Sequence, residues 1–162
     1  MTARERIVRV ADLEAGTAGD VLITVALGSC VGIMLYDTEA RVGGLAHVLL
    51  PTEALSRREQ NPAKCPQTAV PHLLERMAAL GAQPRRTTAR IAGGASMFAG
   101  LSAPGTIQMG ERNLVATRQA LGAHGIALLG EDAGADYGRT VRFRLSDGQI
   151  EILSVAHGIR VL

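Results

Sequence analysis

The chain has no Trp and only two Phe and two Tyr among its 162 residues, too few rings to build the stacking platforms on which single-stranded nucleic acid is read. It also lacks a charge excess. Seventeen Lys and Arg stand against 15 Asp and Glu, a formal net charge of +2, so no broad basic face is expected and nucleic acid is not an expected partner. No apolar run approaches the roughly 20 residues of a membrane-spanning helix, and the opening Met1-Thr2-Ala3-Arg4-Glu5-Arg6 has no apolar core of a secretory leader. We therefore expect a cytoplasmic protein with no membrane insertion. Cysteine is scarce, with Cys30 and Cys65 alone, which argues against a disulfide framework in a reducing compartment. His72, His124 and His157 have no zinc-ligand spacing with one another or with the cysteines, and neither a P-loop nor a G-x-G-x-x-G turn is present, so no metal or cofactor is expected.

What is present is apolar patterning: 47% of the residues are hydrophobic, enough for one domain over residues 1–162 with a sizeable core. Strands are expected at Ile7 to Val10 and Val21 to Leu27, separated by a turn-rich Glu14 to Asp20. A hairpin follows, Val31 to Tyr36 and Val42 to Leu50, around Asp37-Thr38-Glu39-Ala40. Thr52 to Cys65 reads as an exposed polar loop that holds Arg57-Arg58-Glu59 and Cys65. Val70, Leu73, Leu74, Met77 and Leu80 have helical spacing that stops at Gly81, with Pro71 limiting how early that helix begins. Arg90 to Ala95 is expected to be a strand entering a glycine turn, and Asn113 to His124 a helix with Asn113 as its N-cap and Gly125 as its terminator. Strands at Ile126 to Leu129, Val141 to Leu145 and Ile150 to Val155 complete the set, and the mixture of hairpins with helix-linked strands points to a layered α/β or α+β domain of mixed β-sheet with flanking helices.

The hairpin carries the chemistry. With the loop midpoint between Thr38 and Glu39, Leu35 faces Val42 and Cys30 faces His47, their Cβ atoms roughly 5 Å apart on one face. An imidazole there can take the thiol proton, and the thiolate attacks carbonyl carbon. A lone cysteine is more often a small buried apolar residue, and His47 alone could be a hydrogen-bonded core histidine; their pairing turns the balance toward catalysis. Gly28 is expected to let the chain turn sharply, leaving the amides about Ser29 and Cys30 open to a bound carbonyl oxygen. Thr24 and Ser29 both offer a hydroxyl to orient the imidazole. Thr24 needs a bend at Leu27-Gly28-Ser29, laying the Val21 to Leu27 strand beside the His47 strand. Cys65, beside Lys64, is expected to be exposed and incidental. If His47 and the bend amides stabilise the anion, Cys30 should alkylate well below pH 8.

Thr24 to Cys30 (TVALGSC), Gly44 to Pro51 (GLAHVLLP), Ile91 to Phe98 (IAGGASMF), Gly110 to Asn113 (GERN) and the Glu131 to Arg139 segment, in this order, resemble the chemoreceptor glutamine deamidase family, CheD. That resemblance implies an α/β sandwich related to bacterial deamidating toxins and a cysteine hydrolase that converts glutamines on methyl-accepting chemotaxis receptors to glutamates. Carried over by motif, Cys30 matches the nucleophile, His47 the base and Thr24 the orienting hydroxyl. The implied partners are the cytoplasmic helices of those receptors and, in some organisms, a CheC-type phosphatase. A non-catalytic module that binds receptor or phosphatase is the alternative, and an intact Cys30, His47 and Thr24 favours the enzyme.

Overall fold

A computed structural model describes residues 2–56 and 60–162. The Arg57-Arg58-Glu59 part of the expected exposed loop lies outside the described residues. In chain order come β1 (Arg4–Ile7), β2 (Asp12–Gly16), β3 (Asp20–Leu27), β4 (Val31–Asp37), β5 (Val42–Val48), α1 (Pro66–Ala78), β6 (Thr87–Gly93), α2 (Met109–Ala123), β7 (Ala127–Ala133), β8 (Arg139–Arg144), β9 (Ile150–Ser154) and β10 (Gly158–Val161). They form two five-stranded sheets, one ordered β2-β5-β4-β6-β7 and the other β1-β3-β8-β9-β10. Each sheet is mixed, since β6 runs parallel to β7 and β1 parallel to β3 while the other pairs are antiparallel.

The layers follow from the alternation of side chains along β4 and β5. Val31, Ile33, Leu35, Val42, Ala46 and Val48 face the helices, where they pack with Val70, Leu73 and Met77 of α1 and Leu114 and Leu121 of α2. Met34, Tyr36 and Leu45 point the other way, onto Leu22, Val141, Phe143 and Ile152 of the second sheet. Every residue of β4 and β5 is buried, which is why both read as unbroken apolar runs. Side chains such as Leu73 and Met77, with no exposed surface, contribute about 1.5–3 kcal/mol each by leaving water. The architecture is an α/β sandwich of helices, sheet and second sheet, so the expected layered fold holds, with two sheets rather than one and both helices on the same side.

Several local expectations are corrected. The short β2 and β10 were not visible as strands, because Asp12–Gly16 and Gly158–Val161 are too short and too polar or glycine-bounded to show a period of two. Helix α1 starts at Pro66, ahead of Pro71, which sits inside the helix. Helix α2 starts at Met109 with Gln108 as N-cap, so Asn113 is an interior helical residue rather than a cap. Gly125 does end α2, with φ of 66°. Cys65 is the N-cap residue of α1 and has no exposed surface, contrary to its expected place in an exposed loop. Among the described residues no helix is long and apolar enough to cross a membrane.

Candidate active site

The turn falls one residue later than the symmetric loop predicts, which shifts the pairing register by two. Asp37 pairs with Val42, Leu35 with Gly44 and Gly32 with His47. Asp37 decides this, because its carboxylate accepts from the amides of Glu39 and Ala40 and draws the turn into Thr38 to Arg41, where Arg41 takes φ of 54°. His47 is therefore not directly opposite Cys30. A shift of two preserves the face, so Cys30 and His47 remain diagonal neighbours on the side of the sheet that meets the second sheet, a relation that in a regular ladder spans about 7–8 Å. Cys30 belongs to the apolar cluster between the sheets and is 8% exposed, while His47 has no exposed surface.

The hydroxyl comes from the opposite sheet. β3 does not lie beside β5, as the bend hypothesis had it; it stacks across from it, and Thr24 Oγ1 stands 2.7 Å from His47 Nδ1. The Thr24 proton is already committed, donated to the Val8 carbonyl at 2.6 Å. Its oxygen must then accept, so His47 carries its hydrogen on Nδ1 and a lone pair on Nε2. Nε2 is buried and has no hydrogen-bond partner among the described residues. Burial lowers the His47 pKa from 6.5 to about 4 and raises that of the Cys30 thiol. Both directions favour neutral groups at rest, against the expected resting ion pair.

Between β3 and β4 the chain is held by its carbonyls. The sharp turn is made by Ala26, with φ of 60° at a break in the β3–β8 register, rather than by Gly28. The Gly28 amide donates to the Ala26 carbonyl at 3.1 Å and so is not open. The Gly28 and Cys30 carbonyls accept from Ala95 and Gly94 at 2.9 and 2.8 Å, and the Ser29 carbonyl accepts from Asn113 Nδ2 at 2.9 Å. The Cys30 amide donates to no carbonyl among the described residues. Close approach at Gly93 is obligatory, since a Cβ there would stand 2.3 Å from the Cys30 oxygen. The Glu131 to Arg139 segment supports this loop from behind. Buried Arg139 pairs with Asp132 at 2.8 Å and donates to the Gly134 carbonyl, while the Gly134 amide donates to Gly93 and the Ser96 amide to Ala135.

Beside Ser29 opens a cavity of about 210 Å³ lined by Ala95, Ser96, Met97, Phe98 and Met109. Its lining exposes Met97 and Phe98 to solvent, Phe98 by 70%. No group of three or more His, Cys, Asp or Glu side chains able to hold a metal occurs among the described residues. Sequence reasoning missed the role of Asn113, whose amide in a largely apolar buried helix face, within the motif GERN, was the available signal.

A two-sheet α/β sandwich that gathers a thiol, an imidazole and a hydroxyl at the edge of its inter-sheet core defines the structural class. Within that class the sequence comparisons are specific. A family model described as CheD chemotactic sensory transduction matches residues 49–154, beginning just after His47. Full-length relatives cover the rest. A protein of Clostridium novyi (strain NT), named "Probable chemoreceptor glutamine deamidase CheD", is 42% identical over all of both chains. Proteins of the same name from Caldanaerobacter subterraneus and Clostridium acetobutylicum are each 38% identical, over 97% and 99% of this chain and 98% and 99% of theirs. The chain belongs to the CheD family.

Proposed function

We propose that this protein hydrolyses selected glutamine side chains on the cytoplasmic helices of chemoreceptors to glutamate and ammonia, through a thioester on Cys30. The observation that carries the reading is the one-way hydrogen-bond chain from His47 Nδ1 to Thr24 to the Val8 carbonyl, which leaves a buried lone pair on Nε2 on the face shared with Cys30. Neutral His47 takes the thiol proton at Nε2 as Sγ attacks the amide carbon, and the carbonyl electrons move onto oxygen. The Cys30 amide donates to that oxyanion. Collapse of the tetrahedral intermediate breaks the C–N bond, and the imidazolium proton goes to the leaving nitrogen, giving ammonia and thioester. His47, neutral again, takes a proton from water as it attacks the thioester. The second collapse releases glutamate and the thiolate, which regains its proton from the imidazolium.

A neutral resting pair suits this order of events, because the proton moves only when an amide carbon is in place and the reactive thiolate is not exposed between turnovers. The exposed apolar side chains of Met97 and Phe98 beside the site suit an amphipathic receptor helix that presents a glutamine from its polar edge. The same side chains would also serve contact with a CheC-type phosphatase, and on that reading the protein regulates its partner without chemistry. Incubation with a receptor cytoplasmic fragment separates the two. Deamidation predicts ammonia release and a gain of about 1 Da on particular receptor peptides, lost in Cys30→Ala; a fragment that binds tightly yet gains no mass supports the binding module.

A further inference from the structure

Asn113 has no exposed surface and sits in the middle of α2, where an apolar residue would be the stable choice. Its Nδ2 donates to two carbonyls, Ser29 at 2.9 Å and Leu49 at 3.2 Å. One belongs to the bend that carries the nucleophile and the other lies two residues beyond the base, so a single amide ties the two halves of the site together. Both partners are acceptors, which settles the orientation of the side-chain amide. Its Oδ1 is then buried with no partner among the described residues. A half-satisfied buried amide is a poor stabilising device, and its retention calls for another reason.

That reason lies in the peptide between Ser29 and Cys30. The chain has no cis peptide bonds among its described residues, so the Ser29 carbonyl and the Cys30 N–H point in opposite directions. Fixing the carbonyl on Asn113 therefore fixes the Cys30 N–H on the opposite side of the peptide. That N–H belongs to the residue that carries the thiol and donates to no carbonyl among the described residues. We propose that Asn113 is a positioning residue for amide hydrolysis: by holding the Ser29 carbonyl it aims the Cys30 amide at the oxyanion. The inference rests on the deamidase reading given above.

The test compares two reactions of one thiol. Alkylation by iodoacetamide displaces iodide at saturated carbon and forms no oxyanion, so it reports where the thiol is and how ionised it is. Deamidation of a receptor cytoplasmic fragment needs the oxyanion donor as well. With Asn113→Ala, kcat for ammonia release should fall about 10²–10³-fold while KM and the Cys30 alkylation rate stay within about threefold of wild type. Asn113→Leu fills a similar volume, favours helix and removes both donors, and carries the same comparison if the alanine variant does not fold. An unchanged kcat overturns the proposal. So does a parallel fall of kcat and alkylation, or loss of fold in both variants, each of which assigns Asn113 to holding the bend alone. If wild-type protein releases no ammonia, the deamidase reading itself fails and takes this role with it.

Discussion

Cys30 and Cys65 are both buried thiols, 8% and 0% exposed, and burial does not tell them apart. Cys65 caps α1, with its Sγ 3.3 Å from the Thr68 hydroxyl, and the nearby Lys64 amine is turned to Ser56 at 3.2 Å. The one side-chain hydrogen-bond partner of Cys65 among the described residues is Thr68, not an imidazole. Cys30 follows a bend whose three carbonyls are anchored, shares a sheet face with a neutral imidazole, and has an amide that donates to no carbonyl among the described residues. Reactivity here is a property of the surrounding donors and acceptors, and a buried thiol is inert only when its neighbours give its proton nowhere to go.

The most severe way to break this contrast is to exchange the roles. Cys30→Ala should lower ammonia release from a receptor fragment about 10⁴-fold or more, while Cys65→Ala keeps activity within about twofold and costs about 1 kcal/mol in urea unfolding. Activity that survives the first change and is lost in the second would make Cys65 the nucleophile.

The second prediction concerns acid. Unfolded His47 titrates at 6.5 and folded His47 at about 4, so between those values the unfolded chain holds the extra proton. The contribution is complete above the unfolded value and declines as pH falls through the window, by about 3 kcal/mol in all. Urea melts at pH 7 and pH 4 should therefore show wild type losing about 3 kcal/mol more than His47→Gln. An equal loss would mean that the imidazole is solvated in the folded state.

Removing the orienting hydroxyl is gentler. Thr24→Val keeps the shape, frees Nδ1 to lose or keep its hydrogen, and should lower kcat about tenfold, the worth of one hydrogen bond of about 1.4 kcal/mol. His47→Ala, which removes the proton acceptor, should cost far more; a Thr24 effect equal to it would mean that the hydroxyl does more than orient.

The smallest effect sharpens the comparison of the thiols directly. With burial disfavouring the Cys30 thiolate, iodoacetamide should label Cys30 slowly at pH 7, ahead of Cys65 only by its edge of exposed surface, and the Cys30 rate should climb through the alkaline range. His47→Ala should change it by no more than about threefold. Fast labelling well below pH 8 that collapses in His47→Ala would restore the ion pair that the sequence first suggested.

Much of this was legible before the structure. Seven of the eight expected strands and both helices follow from periodicity and turn residues, while the expected strand Ile7 to Val10 meets β1 (Arg4–Ile7) only at Ile7; the Cys30-to-His47 spacing placed the two on one face even though its register was two residues off. Parity survives such an error, whereas the direct opposition of Cys30 and His47 does not. The Asp37 carboxylate, which captures two loop amides, made the difference. Thr24 was named for the imidazole but given the wrong approach, beside β5 instead of across from it, because one-dimensional spacing cannot say whether a strand returns in its own sheet or in another.

By itself the sequence determined the strands, the amphipathic helices and the common face of thiol and imidazole, all of which depend on local period and on composition. Tertiary structure alone decided which sheet supplies the hydroxyl, which nitrogen of His47 is free, and how the Ser29–Cys30 peptide is turned. These depend on hydrogen bonds between residues 16 to 84 positions apart. Burial then completed the site, because only the closed interface between two sheets withholds enough water to keep both Cys30 and His47 uncharged.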